Sequence, residues 1–180
     1  YYKGIFTILS SCASRQLEEV TFRRTVIPVQ ELLDTAGKYF KKSMKNRSER
    51  IELEIEPMEA KVIGDVNQLR FLLENLIDEA LTVREDGLIR LQARQDNEYI
   101  RFLFTDTRRE KSVEELNQLF YPNLARMTSG EKGELRGTEY LICKQIIRDH
   151  DEFAGRRGCR INAEPAEGGG FTVYFTIPRR

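Results

Sequence analysis

The sequence predicts an α/β (α+β) fold, a two-layer sandwich in which helices pack on one face of a mixed β-sheet. Long segments carry apolar residues at helical spacing, and short segments between them alternate apolar with polar residues as half-buried strands do. Their order is helix, strand, helix, two strands, short helix, loop, helix and two strands. A length of 180 residues suits one domain with a short appendage.

The composition excludes several functional classes. Lys plus Arg and Asp plus Glu both number 29, so no overall basic field favours binding to nucleic acid or to an anionic membrane. No apolar stretch approaches the ~20 residues needed to cross a bilayer. The three cysteines, Cys12, Cys143 and Cys159, form no CxxC pair and no metal-ligand spacing. We therefore expect a fragment with free thiols in a reducing, cytoplasmic compartment.

The first part of the chain divides into a connector and the start of the domain. Residues 1–27 are predicted to be the end of an upstream helical region, and residues 28–180 to be the domain itself. Pro28 suits the first turn of a helix, and apolar residues keep helical spacing from Val29 to Met44.

The next two elements carry the clearest patterns. Ile51–Glu56 alternates strictly, which predicts a strand with one buried face, and Pro57 ends it. Apolar residues form one wide stripe from Asp65 to Val83, which is the strongest helix signal in the sequence. Asp86 and Gly87 then predict a turn.

The second half of the domain begins with a predicted hairpin, whose strands cover 89–93 and 100–104. Ser112, with Glu115 three residues later, predicts a capping box at the start of a short helix. Residues 127–136 hold glycines and charged residues and predict a loop, and Tyr140–Ile147 predicts a further helix. The last two strands are predicted over 159–163 and 171–177, joined by three glycines.

Several stretches resemble the ATPase domain of sensor histidine kinases, which shares its fold with DNA gyrase and related ATPases. Asp65–Ala80 is similar to the asparagine box of that family, whose core reads Asn-Leu-x-x-Asn-Ala. Phe102–Thr107 is similar to the strand that enters its Asp-x-Gly-x-Gly box. Gly137–His150 resembles its Gly-Leu-Gly-Leu box with the following helix. Phe120-Tyr-Pro-Asn and the closing strand after the glycines also match, so the resemblance covers about 26–178.

The resemblance implies a nucleotide site and shows where this chain departs from it. Asn75 matches the first asparagine of the box, but Glu79 stands where the second would hold Mg²⁺, and its carboxylate remains a possible metal ligand. Asp106 matches the aspartate that accepts from the adenine amino group, yet Thr107 is followed by no glycine. An aspartate at this place also caps turns routinely. Both interpretations of Asp106 stay open.

The phosphate end of the implied site is also altered. Gly137 is retained, but Glu139 replaces the second glycine, and its carboxylate would repel an anion at the helix N-terminus. Thr138 is predicted to be the N-cap of this helix. Lys132 and Arg136 lie in the stretch that corresponds to the ATP lid, where they either contact phosphate or are simply solvated. His150, the only histidine, matches the end of a family helix and not the phosphoacceptor.

These departures predict a degenerate histidine-kinase-type domain of a signalling protein, with weak or lost ATP binding and a regulatory or interaction role. Its expected partners are an upstream helical dimerisation or sensor region of the same protein and a response regulator or other signalling protein, as the resemblance implies. The alternative is a divergent active kinase that binds ATP or ADP with Mg²⁺ and phosphorylates a histidine outside this fragment. An anti-sigma-factor-like kinase shares the fold but needs the same missing glycines.

Overall fold

A computed structural model describes residues 21–122 and 138–180 of the chain. Seven strands and four helices lie in these two ranges. The helices are α1 (Val29–Ser43), α2 (Val66–Ala80), α3 (Val113–Gln118) and α4 (Thr138–Phe153). The strands are β1 (Thr25–Pro28), β2 (Ile51–Ile55), β3 (Lys61–Gly64), β4 (Gly87–Asp96), β5 (Tyr99–Asp106), β6 (Ile161–Pro165) and β7 (Phe171–Pro178).

Five strands form the main sheet, in the order β2-β4-β5-β7-β6. β2 pairs with β4 in parallel, and every other neighbouring pair is antiparallel, so the sheet is mixed as predicted. β1 and β3 form a separate antiparallel ribbon. Thr107 follows β5 directly and therefore lies at the same sheet end as Gly87, the first residue of β4.

The core lies between the helices and one face of the sheet. Leu69, Leu72, Leu73, Leu76 and Ile77 form the buried face of α2. They share one hydrophobic cluster with alternate residues of the central strands, which lie on the helix side because side chains of a strand point to opposite faces. Phe102 of β5 and Phe175 of β7 stack at a centroid distance of 4.8 Å near the middle of this cluster.

Most predicted elements are present, with adjusted ends. The hairpin, the last two strands and the strand at Ile51 are confirmed. The capping box is confirmed as well, with Ser112 accepting from the Glu115 N–H and the Glu115 carboxylate accepting from the Ser112 N–H. The helix predicted at Tyr140–Ile147 is longer at both ends, because it begins by Thr138 and ends at Phe153.

Three local predictions need correction. Pro28 is the N-cap of α1 and the last residue of β1, not a residue of the first helical turn. β1 and β3 were not predicted, and β1 uses the last residues of the predicted connector. Thr138 is a helical residue of α4 and not its N-cap. The division of the chain at residue 27 stays a prediction.

Some predictions fall outside the described residues. They concern the connector up to residue 20, with Cys12, and the lid loop with Lys132, Arg136 and Gly137. Within 21–122 and 138–180, no helix is long and apolar enough to cross a membrane. Cys143 and Cys159 are buried, and neither forms a disulfide within the described residues.

Candidate functional site

Asp106 ends β5 in the buried interior, where its side chain is 5% exposed. Its carboxylate is held by a single neighbour, Arg108. The Arg108 Nε donates to Asp106 Oδ1 at 2.9 Å, and Nη2 donates to Oδ2 at 2.9 Å. The backbone N–H of Arg108 also donates to Oδ1, at 3.0 Å. Asp106 therefore caps the turn after β5 and forms a bidentate ion pair, the strongest common carboxylate contact.

The rest of the Arg108 guanidinium is also saturated with hydrogen bonds. Nη1 donates to the carbonyl oxygens of Val83 and Glu85, each at 2.9 Å. Nη2 donates in addition to the Ala80 carbonyl oxygen, at 2.6 Å. Its five N–H donors thus all have acceptors, although the side chain is only 1% exposed. The guanidinium links the C-terminal end of α2 and the loop after it to the end of β5.

Two glycines make room for this arrangement. A Cβ atom built on Gly87 would lie 2.5 Å from Arg108 Cγ, so the arginine stem passes where a side chain at this position would stand. Gly170, before β7, packs so closely on the backbone of Asp106 and Thr107 that a Cβ atom there would collide with it. Both glycines have positive φ angles, +145° and +85°.

The predicted residues of the asparagine box lie on α2. Asn75 is buried, and its Nδ2 donates to the Phe71 carbonyl oxygen of the same helix at 2.7 Å. Glu79 is half-buried one turn later. Among the residues that the structure describes, no group of three or more Asp, Glu, His or Cys side chains is placed to hold a metal ion.

Thr107 and Glu139 are placed differently from one another. Thr107 continues the β4 pairing, because both its N–H and its hydroxyl donate to the Leu88 carbonyl oxygen, at 3.1 and 2.6 Å. Glu139 lies in the first turn of α4, half-buried. Its Oε2 is buried and has no hydrogen-bond partner in the described part of the chain. A buried carboxylate oxygen in this turn opposes binding of a phosphate there.

His150 is fully buried and serves the structure. Its Nε2 accepts from the Asp65 N–H at 3.0 Å, and its Nδ1 donates to the Ile146 carbonyl oxygen at 2.8 Å. An imidazole that both donates and accepts in this way is neutral. The Phe22 ring packs edge-on against it, with centroids 4.9 Å apart. An imidazole that is completely buried, with a hydrogen bond at each ring nitrogen, is not placed to accept a phosphoryl group.

Asp65 joins this histidine to the start of α2. Its Oδ1 accepts from the N–H groups of Asn67 and Gln68, which makes Asp65 the N-cap. Its Oδ2 accepts from the Arg23 N–H at 2.9 Å. The chain before β1 is thereby held to the N-terminus of the asparagine-box helix.

Arg108 occupies most of the Asp106 carboxylate, which is the predicted acceptor for an adenine amino group. Of the about four acceptor positions of a carboxylate, three accept from Arg108, two on Oδ1 and one on Oδ2, and the Asp106 side chain is left 5% exposed. Sequence reasoning identified Asp106 but missed Arg108. A polar run such as Thr107–Lys111 is typical of a solvated turn, and the only hint in it was the absence of glycine.

Comparison with known proteins supports the fold. The family described as histidine kinase-, DNA gyrase B- and HSP90-like ATPase matches residues 64–180. The catalytic domain of the histidine kinase ThkA superposes with a TM-score of 0.67 at 21% identity, over 87% of this chain and 97% of that chain. The mycobacterial sensor histidine kinase MprB superposes with a TM-score of 0.66 at 21% identity, over 88% of this chain and 99% of that chain.

A third structure is that of ThkA in complex with the response regulator protein TrrA. Its TM-score is 0.65 at 19% identity, and the match covers 99% of this chain and 49% of that chain. A search of the curated proteins found no match. The structural likeness at these identities concerns the fold, and the family match spans most of the chain. This chain therefore belongs to the histidine kinase-, DNA gyrase B- and HSP90-like ATPase family.

Proposed function

We propose that this domain is a degenerate histidine-kinase-type ATP-binding domain of a signal-transduction protein. In this proposal nucleotide binding is weakened or lost, and the domain acts as a regulatory or interaction module. The observation that carries the proposal is the buried, bidentate ion pair between Arg108 and Asp106.

The ion pair stands where the family motif needs open space. In the motif Asp-x-Gly-x-Gly, read from Asp106, Arg108 takes the place of the first glycine and Glu110 that of the second. Glycines there let a ligand approach the backbone closely. To admit an adenine, the guanidinium would have to leave, which would remove the hydrogen bonds to the Val83 and Glu85 carbonyl oxygens as well. The Val83 carbonyl oxygen is partly buried, and leaving it unpaired costs up to about 1–3 kcal/mol. The Glu85 carbonyl oxygen is exposed and can accept from water instead.

The phosphate end supports the same proposal. Glu139 adds a carboxylate to the first turn of α4, where the helix dipole favours an anion, so it competes with phosphate for that place. Glu79 adds a second negative charge on the helix that carries the metal-binding asparagine in the family. Each replacement lowers the affinity for an ATP–Mg²⁺ complex.

The remaining parts of the proposal concern partners and location. ThkA forms a complex with a response regulator protein, and a partner of that class suits this domain if it keeps the signalling role of its fold. We propose that residues 1–27 connect it to an upstream helical dimerisation or sensor region, in the cytoplasm. Phe22 and Arg23, which contact His150 and Asp65, would transmit changes in that region to α2 and α4.

The test compares thermal unfolding with and without millimolar ATP or ADP and Mg²⁺. A ligand at 100 times its dissociation constant adds about 2.7 kcal/mol to the stability, so a functional site gives a clear rise in Tm. We expect no rise for the natural chain. A variant with Glu79→Asn, Arg108→Gly and Glu139→Gly should gain a nucleotide-dependent rise, and the same variant with Asp106→Ala should lose it.

A divergent active kinase is the second candidate, because Asp106 and Asn75 are both retained and buried on the elements that the family uses. In that case ATP itself would displace Arg108. The natural chain would then show a nucleotide-dependent rise in Tm that Asp106→Ala abolishes. That result would overturn the proposal of a lost site.

A further inference from the structure

The open face of the sheet carries a groove that contains none of the predicted nucleotide-site residues. It lies where the turn between β4 and β5 meets the segment between α4 and β6, and its volume is about 560 Å³. Its principal lining residues are Arg101, Arg157, Arg160, Tyr99, Tyr174 and Thr176. The geometry points to a docking groove for an extended, acidic segment of a partner protein. This inference does not depend on whether the domain binds nucleotide.

The walls of the groove are fixed by hydrogen bonds. The Asp151 carboxylate accepts from the N–H groups of Gly158 and Cys159, at 2.6 and 3.1 Å. The Tyr99 hydroxyl donates to the Arg157 carbonyl oxygen across the groove. The Thr176 hydroxyl donates to the Gly158 carbonyl oxygen at 3.1 Å. A groove that is already ordered loses little conformational entropy when a ligand binds.

Gly158 is needed at the centre of this wall. Its φ is +114°, a conformation that side chains disfavour, and a Cβ atom there would lie 2.5 Å from the Tyr99 hydroxyl. The segment 151–158 is also where the chain departs from the His-Gly-Gly ending of the helix in the resembling family. Part of the groove lining, Arg157 and Gly158, thus comes from a stretch that departs from the family motif.

The charges in the groove favour an anionic occupant. Asp96 pairs with Arg101 at 3.2 Å, and Glu98 pairs with Arg156, which lies outside the lining, at 3.4 Å. The exposed Arg160 makes no ion pair with any described residue. Arg157 likewise pairs with Asp151, outside the lining, at 3.2 Å. The two outside partners cancel, so the three arginines and two acidic side chains of the lining leave an excess of one positive charge, that of Arg160.

The arginines are spaced to hold two carboxylates. Arg101 on β5 lies opposite Thr176 on β7, and Arg160 lies beside Thr176 on the other side, so two strand spacings of about 4.8 Å separate them. In an extended segment, side chains two residues apart share a face and stand about 7 Å apart. Arg160 can take one carboxylate directly, and Arg101 can take the other by exchanging it for its exposed partner Asp96, because an exposed pair contributes only about 0–1 kcal/mol. Arg101 is also stacked on the Tyr174 ring at 4.7 Å, which orients its guanidinium.

A protein segment fits better than a nucleic acid. Asp96 and Glu98 face the groove and would repel a continuous row of phosphates, whereas a peptide places its carboxylates at chosen positions. The tyrosine rings offer apolar contact to the residues between those carboxylates. The chain as a whole carries no net charge, so no wider basic field attracts nucleic acid.

The experiment measures binding of a fluorescein-labelled peptide of alternating Glu and Leu by fluorescence anisotropy at low salt. The same peptide with Gln in place of Glu is the ligand control. The groove variant is Arg157→Gln with Arg160→Gln. The matched protein control is Arg90→Gln with Arg94→Gln, because these arginines lie on β4, outside the groove, and pair with Glu54 and Glu56. Thermal melts check that every variant is folded, and Arg160→Gln alone replaces the double variant if it is not.

We expect the Glu peptide to bind, the Gln peptide to bind at least about tenfold more weakly, and the affinity to fall with added salt. The groove variant should lose about tenfold in affinity and the control variant should not. No binding of the Glu peptide up to about 1 mM would overturn the inference. Equal losses in both double variants, or tighter binding of a single-stranded oligonucleotide, would overturn it too.

Discussion

At the residue scale the domain depends most on Arg108. Its guanidinium is buried, charged and satisfied by four different residues, which are Asp106, Ala80, Val83 and Glu85. A buried ion pair is weak evidence of net stability, but removal of one partner leaves the other charged and desolvated. Arg108 therefore acts as part of the fold and not as a surface residue of the turn.

We predict that Arg108→Ala lowers the free energy of unfolding by about 3–5 kcal/mol. Asp106 would keep its buried carboxylate without a counter-ion, and two loop carbonyl oxygens would lose their donor. Urea denaturation at neutral pH measures the effect. The free energy of unfolding of Arg108→Lys should lie between those of the natural chain and of Arg108→Ala, because one ammonium group cannot reproduce the planar, bidentate contact of a guanidinium.

Arg109→Ala is the control for this change. Arg109 is the next residue, 54% exposed, and pairs with Glu85 at 3.1 Å. An exposed pair of this kind contributes about 0–1 kcal/mol. Equal losses for the two alanine variants would contradict the assigned role of Arg108.

The contacts of Arg108 were beyond prediction from the sequence, and the reason is physical. Asp106 was identified from the local pattern of a strand ending in an aspartate. The carbonyl acceptors of Arg108 lie 23–28 residues earlier in the chain, at the end of α2 and in the loop before β4. The sequence predicted only a turn at Gly87, although the missing side chain there also leaves room for the aliphatic part of Arg108. Nothing in the spacing of these residues signals that they meet.

At the element scale, local chemistry determines where the helices begin. Ser112 and Glu115 satisfy each other's backbone N–H groups at the start of α3. At the start of α2, the Asp65 side chain accepts from a backbone N–H of the first turn and also from the Arg23 N–H. Both helices thus begin at side chains that satisfy otherwise unpaired backbone donors.

We predict that Ser112→Ala lowers the free energy of unfolding by about 1 kcal/mol, and that Ser112→Thr, which keeps the hydroxyl, has a smaller effect. The Ser112 N–H holds the pKa of the Glu115 carboxyl below its ordinary value. Its contribution is therefore present above the unfolded pKa near 4.3 and is lost as the pH falls through the lower folded pKa. Denaturation series of Glu115→Gln and the natural chain should converge at acid pH. Parallel curves down to the lowest pH would contradict this.

We predict a larger loss, about 2 kcal/mol or more, for Asp65→Ala. This change removes the α2 cap and leaves the partly buried hydrogen bond from the Arg23 N–H unmade. Asp65→Asn should cost less, because its amide oxygen still caps the helix. Hydrogen exchange at Asn67 and Gln68 distinguishes the two variants. Unchanged protection in Asp65→Ala would exclude this role.

The elements that could be predicted are those with local patterns. The hairpin, the capping box and the α2 stripe each occupy a short stretch in which side-chain spacing suffices. β1 and β3 have only four residues each and pair across more than thirty residues of chain, with α1 and β2 between them. A strand this short carries too few alternations to be recognised, and its partner lies outside any local window.

At the scale of the whole molecule, the buried thiols report on cooperative unfolding. Burial, with the nearby Asp151 carboxylate in second place, raises the pKa of Cys159 to about 12. At about pH 8 the folded protein therefore presents a protonated, covered thiol, which reacts slowly. Because the folded pKa is higher than the unfolded pKa, the contribution of this thiol to stability is fully present below the unfolded pKa near 8.5. That contribution is lost as the pH rises toward the folded pKa of about 12.

We predict that alkylation of Cys159 by iodoacetamide at about pH 8 requires unfolding, so its rate rises with urea in step with loss of structure. Peptide mapping by mass spectrometry identifies the modified residue. Arg108→Ala should accelerate the reaction, whereas Arg109→Ala should not. Rapid alkylation without urea, at the rate of a free thiol, would contradict the burial of this residue.

The strand order also constrains how the domain folds. β7 lies inside the sheet, between β5 and β6, and β6 has no other sheet neighbour. β6 therefore cannot join the sheet until the later strand has been added beside β5, whose residues lie about 70 positions earlier in the chain. Formation of that long-range pairing completes the core around Phe102 and Phe175. Folding of the natural chain should therefore be slow relative to its local hairpin, and a ribosome-bound chain lacking β7 should stay open to proteolysis at β6.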